Sequence, residues 1–346
     1  MAAALLLALV LAMRSSVQAR DSVRPLPAVD VVAAVEPLGG FWAPRTGSDD
    51  DTAWPDETPS TEWSLDSATP GFLAESPSEF ADSSRSHFRK VREPWRWQIL
   101  PSGLIYRSYL AGAKEPRIGS AWTYERELGW IWDIALGGRV GIIRCGTEDS
   151  RRPEGWQVDI EGAGLPRLIQ DRDWILMATD FRFGIPVTYG RGRYQTKMGY
   201  YHLSSHLGDE FMLIHPEAPR INYVRDAILW GNSYYWSDDV RLYAEAAYAA
   251  GNDGGAEPWE FQFGIDYSPD RPGRPAGAPF FAINSHLRQD ITLGGNLVVQ
   301  TGWQWKSAVA GQLFRMGMQY FAGKSDQFEF FNRYEEKIGL GIWYDF

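Results

Sequence analysis

The chain is poor in cysteine, in basic residues and in long apolar runs, and each shortage removes a class of protein. Cys145 is the single cysteine in 346 residues, so no internal disulfide framework can hold the fold; packing and backbone pairing must do it. Lys and Arg number 34 against 44 Asp and Glu, a net charge of −10. That balance excludes the clustered basic surface that nucleic-acid binding requires. Past the N-terminal stretch, no apolar run reaches the roughly 18 residues of a membrane-spanning helix. A chain like this enters a bilayer, if at all, without helices.

What is present begins with a short apolar stretch, Ala2 to Met13, followed by the small residues Val17-Gln18-Ala19. The pattern predicts a secretory signal peptide over 1–19, although the usual basic leader is missing. Residues 20–93 change character: from about Pro44 they are rich in Ser, Thr, Pro, Asp and Glu. Such composition buries too little apolar surface to offset backbone ordering, so an acidic, disordered linker is expected. Trp54, Trp63, Phe72 and Phe80 stand singly in it, as sticky points in a solvated tail or as contacts for a partner the sequence does not name.

From Trp95 the periodicity is two. In WEFQFGIDY, Trp259, Phe261, Phe263, Ile265 and Tyr267 alternate with Glu260, Gln262, Gly264 and Asp266. NLVVQTGWQW, QLFRMGMQY and VRLYAEAAY repeat the alternation. Each segment therefore has one apolar and one polar face. A soluble sandwich would turn the apolar face inward, whereas a membrane barrel turns it to lipid. Three features favour the second. Several segments run nine to eleven residues, the length of a tilted membrane strand. The polar face carries Gly, Gln, Asn and charges, including Asp180 with Arg182 and Arg241 with Glu245. Aromatics such as Tyr267, Trp303, Trp305 and Tyr344 stand at segment ends, where interfacial belts hold them.

The fold class is thus all-β: a single antiparallel, outer-membrane-type transmembrane β-barrel of roughly 12 strands over 94–346, behind a disordered N-terminal extension. The residues expected to line its lumen are Asp180, Arg182, Arg241, Glu245, Glu260, Asp266, His286 and Arg315. At this strand count a filled or narrowly open lumen is expected rather than a wide channel.

The chain ends KIGLGIWYDF. Ile338, Leu340, Ile342, Tyr344 and Phe346 project to one face, as the last strand of a closed barrel requires. Lys337, Gly339, Ile342, Tyr344 and Phe346 also resemble the C-terminal signal by which barrels are recognised for insertion, which implies the barrel-assembly machinery and outer-membrane lipid as partners.

One stretch could carry chemistry. In YYHLSSHLGDEF, Tyr200, His202, Ser204 and His206 share the lipid-side face. A His-x-Ser pair on an outer barrel surface resembles the arrangement in outer-membrane phospholipases and lipid A deacylases. There the His takes the serine proton and a third group orients it. Asp209, Glu210 or Asn222 are the candidates for that third group, with Asp209 the one paired here with His202 and Ser204, although none follows at the spacing those enzymes use and Ser205 stands where they carry Asn. Without catalysis, the same residues form an interfacial network that ends the strand. Metal binding is discounted, since i and i+4 on a strand lie about 13 Å apart. No cofactor is implied.

YHLSSHLGDEF after DFRFGIPVTYGRGRYQTKMG, with YRSYLAGAKEPRIGSAW upstream, resembles the family known as domain of unknown function 1207. The resemblance covers about 95–346. It implies an exported bacterial outer-membrane-type barrel, with a strand, a short turn and a second strand in residues 106–122, and it carries no activity or site residue. The functional expectations are a non-catalytic pore, scaffold or attachment protein; a lipid-interface hydrolase using His202 and Ser204; or a soluble periplasmic β-domain with a hydrophobic ligand inside.

Overall fold

A computed structural model describes residues 93–149 and 151–346. The signal peptide and the linker, apart from Glu93 at its edge, lie outside the described residues. Thirteen strands follow in order: β1 (Arg96–Ile99), β2 (Ile118–Glu125), β3 (Gly129–Gly146), β4 (Gly155–Ile169), β5 (Ile175–Arg191), β6 (Tyr194–Leu207) and β7 (Val224–Tyr235). Then come β8 (Val240–Asp253), β9 (Trp259–Tyr267), β10 (Ala278–Arg288), β11 (Gly294–Lys306), β12 (Leu313–Lys324) and β13 (Tyr334–Asp345). Strands β2 to β13 pair antiparallel in sequence order, and β13 returns to pair with β2 through Lys337↔Glu125 to Tyr344↔Ile118. Twelve strands therefore close a barrel, and closure leaves no edge for most of its circumference.

The wall divides as the period-two pattern demands. On β13, Ile338 is 51% and Leu340 62% exposed, whereas Lys337 is 1% and Trp343 5% exposed. Phe314, Met316, Met318 and Phe181 likewise face outward. This places the apolar half of each strand on the outside and rules out the soluble domain with a dry core. Two rings of outward aromatics flank the wall. One holds Trp156 against Tyr189, with centroids 4.6 Å apart, and Trp303 beyond them. The other holds Trp122 stacked on Trp132 at 5.7 Å, and Tyr248 against Trp259. Such paired girdles mark the two interfaces of a membrane barrel. The first ring lies at the end where the chain terminates, here called proximal; the second is distal.

β1 stands outside the closed set. It pairs with Ile143–Gly146 of β3, on the edge that β2 uses further along from Gly129 to Leu136. Between β1 and β2 the chain turns into the barrel. Residues 101–117 form no strand, and Ile105, Tyr106, Tyr109 and Ala111 are wholly buried. This corrects the expected strand-turn-strand over 106–122: only Ile118 onward is strand, and the rest is a plug in the lumen. Its side chains are held by tertiary contacts, which no local periodicity announces.

At the distal end the turn between β12 and β13 folds inward. Phe328 is buried and stacks on Tyr223 at 4.8 Å. Glu329 accepts hydrogen bonds from the backbone N–H groups of Ile221 and Asn222, which ties this turn to the β6–β7 connection. The cavities that border the plug measure about 50, 60 and 20 Å³. Each is large enough for water, which needs only about 10–15 Å³ of such space, and none is large enough for a bulky solute. Among the described residues, the plug and the distal turn occupy the lumen with buried side chains.

Candidate functional site

The expected lumen residues all point inward, but their partners differ from those the sequence suggested. Arg241 bonds Asp266, directly opposite it on β9, through Nε at 3.1 Å and Nη2 at 2.6 Å. Glu245 instead pairs with Lys197 at 2.7 Å. Arg182 takes Glu161 at 3.4 Å and lies over the Tyr201 ring, while Asp180 takes Lys114 of the plug at 2.6 Å. The expected same-strand pairs Asp180–Arg182 and Arg241–Glu245 are therefore corrected. Cross-strand neighbours lie about 5 Å apart and same-face strand neighbours about 7 Å, so charges find partners across the ladder. Glu260 accepts from His286 at 3.1 Å and from Tyr201, with Arg225 at 3.8 Å. Arg315 donates to Asp345 at 2.7 Å and Gln300 at 2.7 Å.

These wall groups converge on the plug. Tyr109 stacks on Tyr243 with centroids 3.8 Å apart and donates its hydroxyl to Glu245 at 2.9 Å. Burial pushes its phenol well above the usual value, and Glu245 adds to the shift, so it remains a donor. Lys197 lies over the Tyr109 ring at 4.6 Å. Gly231 stands between Lys197 and Glu245 on β7: a Cβ there would come 2.9 Å from Lys197 Cε and 3.0 Å from Glu245 Oε2. A side chain there would press on this pair and on the Tyr109 hydroxyl, whose oxygen would lie 2.9 Å from the same Cβ.

Ser205 explains part of the YHLSSHLGDEF stretch. It points inward and donates to Asp180, while its oxygen accepts from the Glu329 N–H at 3.0 Å. Asp180 also receives the Phe328 N–H at 3.4 Å. One carboxylate thus joins the plug, through Lys114, to the distal turn. Neither Lys114 nor Ser205 was singled out by sequence reasoning, though strand parity already turned Ser205 inward.

The other half of the stretch faces out. His202 is paired in register with Asp226 on β7, and its Nδ1 lies 2.9 Å from Asp226 Oδ1. Tyr200 donates to the same oxygen at 2.5 Å. The His202 and Asp226 side chains are 39% and 42% exposed on the outer wall. The acid beside His202 is thus Asp226; Asp209, Glu210 and Asn222 are exposed on the connection beyond the strand. Asp226 is 24 positions from His202 in sequence, but the antiparallel register sets it opposite. Ser204 shares the outward face and makes no side-chain hydrogen bond among the described residues. His206 lies with its ring 6.0 Å from that of Phe181. No group of three or more metal-ligating side chains occurs among the described residues.

The C-terminal residues take distinct places. Lys337 points inward to Asp326 at 2.9 Å and Glu335 at 3.0 Å. Ile342 faces outward, Gly339 lies against the Trp122 carbonyl, and Phe346 packs edge-on to Tyr344 at 5.2 Å.

A barrel wall apolar outside, a strand order closing on itself and this motif on the sixth strand coincide with one family model. The family described as protein of unknown function (DUF1207) matches residues 98–346. The chain belongs to that family. No curated protein matches it. Among solved structures, the Escherichia coli outer membrane phospholipase A is similar at 9% identity and a TM-score of 0.44, covering 66% of this chain and 89% of that one. A porin mutant of Rh. blastica matches at 9% identity, TM-score 0.31 and 67% and 99% coverage. Pseudomonas aeruginosa OccK5 (OpdH) matches at 12%, 0.27, 70% and 75%. These are similarities of barrel outline alone.

Proposed function

We propose that this DUF1207 protein is a bacterial outer-membrane barrel that is closed at rest, and that it serves as a membrane-embedded scaffold or attachment point and not as an open conduit. The observation that carries this reading is the plug: Tyr106, Tyr109 and Ala111 are wholly buried inside the wall, and the distal turn closes the other end. The apolar exterior and paired aromatic girdles support the outer-membrane location. Proteoliposomes containing the full chain should not swell in iso-osmotic sugar. Swelling at the rate of a general porin rejects the reading.

A second reading is favoured by Asp226. With the Nδ1 proton directed at that carboxylate, Nε2 of His202 keeps its lone pair and can serve as a general base. Ser204 Oγ would attack a lipid ester carbonyl, His202 would take its proton and pass it to the departing alcohol, and water would then release the acyl group. Ionisable groups on a lipid-facing wall are costly and mark function more often than not. The full chain in detergent should then cleave a lipid ester, and Ser204→Ala should abolish it. No turnover in the unaltered chain ends this reading and leaves the first intact.

A further inference from the structure

Three wall arginines take hold of the plug by its backbone. Arg144 on β3 donates from Nη2 to the Ser102 carbonyl at 2.9 Å and the Gly103 carbonyl at 2.8 Å. Arg241 on β8 donates to the Arg107 carbonyl at 2.9 Å and the Ser108 carbonyl at 2.6 Å. Arg315 on β12 reaches the Leu110 carbonyl at 3.1 Å. Arg117, on the plug's own return limb, donates to the Tyr109 and Leu110 carbonyls at 2.6 and 2.7 Å.

Each wall guanidinium is also fixed on its other side by the wall itself: Arg144 by Gln157 at 2.6 Å, Arg241 by Asp266, and Arg315 by Asp345. The donors are therefore set in place before any chain arrives. A planar fork held on one edge and presented on the other recognises carbonyl oxygens, whatever side chains they carry. Side-chain contacts add to this hold: the Tyr109–Tyr243 stack, the Tyr109–Glu245 bond, Lys197 over the Tyr106 and Tyr109 rings, and the Lys114–Asp180 pair.

We propose that the lumen is a binding site for a polypeptide backbone, that residues 102–110 are its ligand supplied in cis, and that this ligand is released while the barrel stays closed around its circumference. The inference rests on the closed resting state proposed above and adds that the closure is reversible. Two features support release. Much of the wall's charge is satisfied within the wall, as in Arg139–Asp159 at 2.6 Å and Lys197–Glu245 at 2.7 Å, and Asp180, which loses Lys114, keeps its Ser205 and Phe328 donors. Both stems of the plug also leave at the proximal end. One is held by the four pairs of β1, by the Leu100 N–H on the Ile142 carbonyl at 2.9 Å and by Gln98 on the Thr147 carbonyl at 3.0 Å, and the other edge of β1 has no strand partner among the described residues. A short edge strand is the part of a sheet that opens first.

The test uses the full chain in bilayers with Cys145→Ser and a single reporter, Ser108→Cys, at a position 6% exposed in the lumen. Labelling by a water-soluble maleimide is timed alongside barrel integrity, read as the shifted migration of the folded barrel on unheated gels. Arg241→Lys keeps the charge beside Asp266 but cannot fork two carbonyls. It should speed labelling roughly tenfold or more, the scale of losing charge-assisted hydrogen bonds, with the barrel still folded. Lys114→Met, which leaves every wall guanidinium intact, provides the same readout should Arg241→Lys fail to fold. Labelling in all variants that only keeps pace with loss of the folded band overturns the inference and makes the plug a fixed part of the core. Swelling of the unaltered chain would instead defeat the closed resting state, so the two failures are told apart.

Discussion

The ring of Phe346 lies against Gly138 on β3: a Cβ at position 138 would come 2.9 Å from Phe346 Cε2. This contact falls where β3 runs past the start of β2 and before its pairing with β1, along Gly137–Gly141. The terminal aromatic thus covers a stretch of wall left without a strand neighbour on that side. Valine is ordinarily welcome in a lipid-facing strand, so any penalty for Gly138→Val comes from the ring. Gly138→Val should lower the folded fraction by the cost of overpacking, about 1–3 kcal/mol, and Phe346→Ala should relieve that cost in the double variant. A double-mutant cycle by urea titration of the folded band measures the coupling; additive effects would mean that the two residues do not meet.

Asp180 joins the plug to the distal turn, receiving Lys114, Ser205 and the Phe328 N–H. Removing one partner of a buried ion pair costs about 3–5 kcal/mol because the other charge is left unpaired. Asp180→Ala should therefore cost most of that. Lys114→Met should cost less, since Asp180 keeps its Ser205 and Phe328 donors. Thermal unfolding in detergent checks the order, and an equal loss in both would remove Asp180 from its central place.

Gly231 makes room for three groups at once. Gly231→Val should separate Lys197 from Glu245, displace Tyr109 from its hydrogen bond and raise plug exposure without breaking the β6–β7 ladder. The quantity to follow is maleimide labelling of Ser108→Cys in the Cys145→Ser chain, which should rise. Unchanged labelling would show that the Tyr109 anchor is dispensable.

Asp326 lies in the distal turn outside the strands. Burial works against its charge, but Lys337 and Arg167 prevail and hold its carboxyl well below the usual carboxylate range. A lowered folded value means that the unfolded chain takes up the proton first on acidification. The stability it contributes is whole above about pH 4 and is lost as pH falls below that. The unfolding midpoint of the native sequence should thus drop more steeply between about pH 4 and pH 2 than that of Asp326→Asn. Parallel curves would show that this ion cluster does not govern the acid limb.

Much of the wall was legible because its two sides meet different solvents. Ile338, Leu340 and Phe314 face lipid while Lys337, Arg315 and Gln300 face a polar interior, so period two survives along nearly every strand. Residues 101–117 hid from the same reasoning. Tyr106, Tyr109 and Leu110 are buried by wall groups far away in sequence, and a plug touched on all sides has no repeating face. The His202 partner was missed for a related reason. Its distance along the chain depends on the length of the β6–β7 connection, while its position in space depends only on register. Ion pairs were misassigned within strands because sequence order displays same-face residues at i+2 and i+4 together, whereas the ladder brings Arg241 to Asp266.

A photoreactive benzoyl-phenylalanine in place of Tyr109, in the full chain assembled in membranes, most directly asks whether the lumen holds the plug. Ring stacking at 3.8 Å places that position on Tyr243, so irradiation should join the plug to the β8 peptide containing Tyr243. Crosslinks to lipid, or none to any barrel strand, would contradict a plugged barrel.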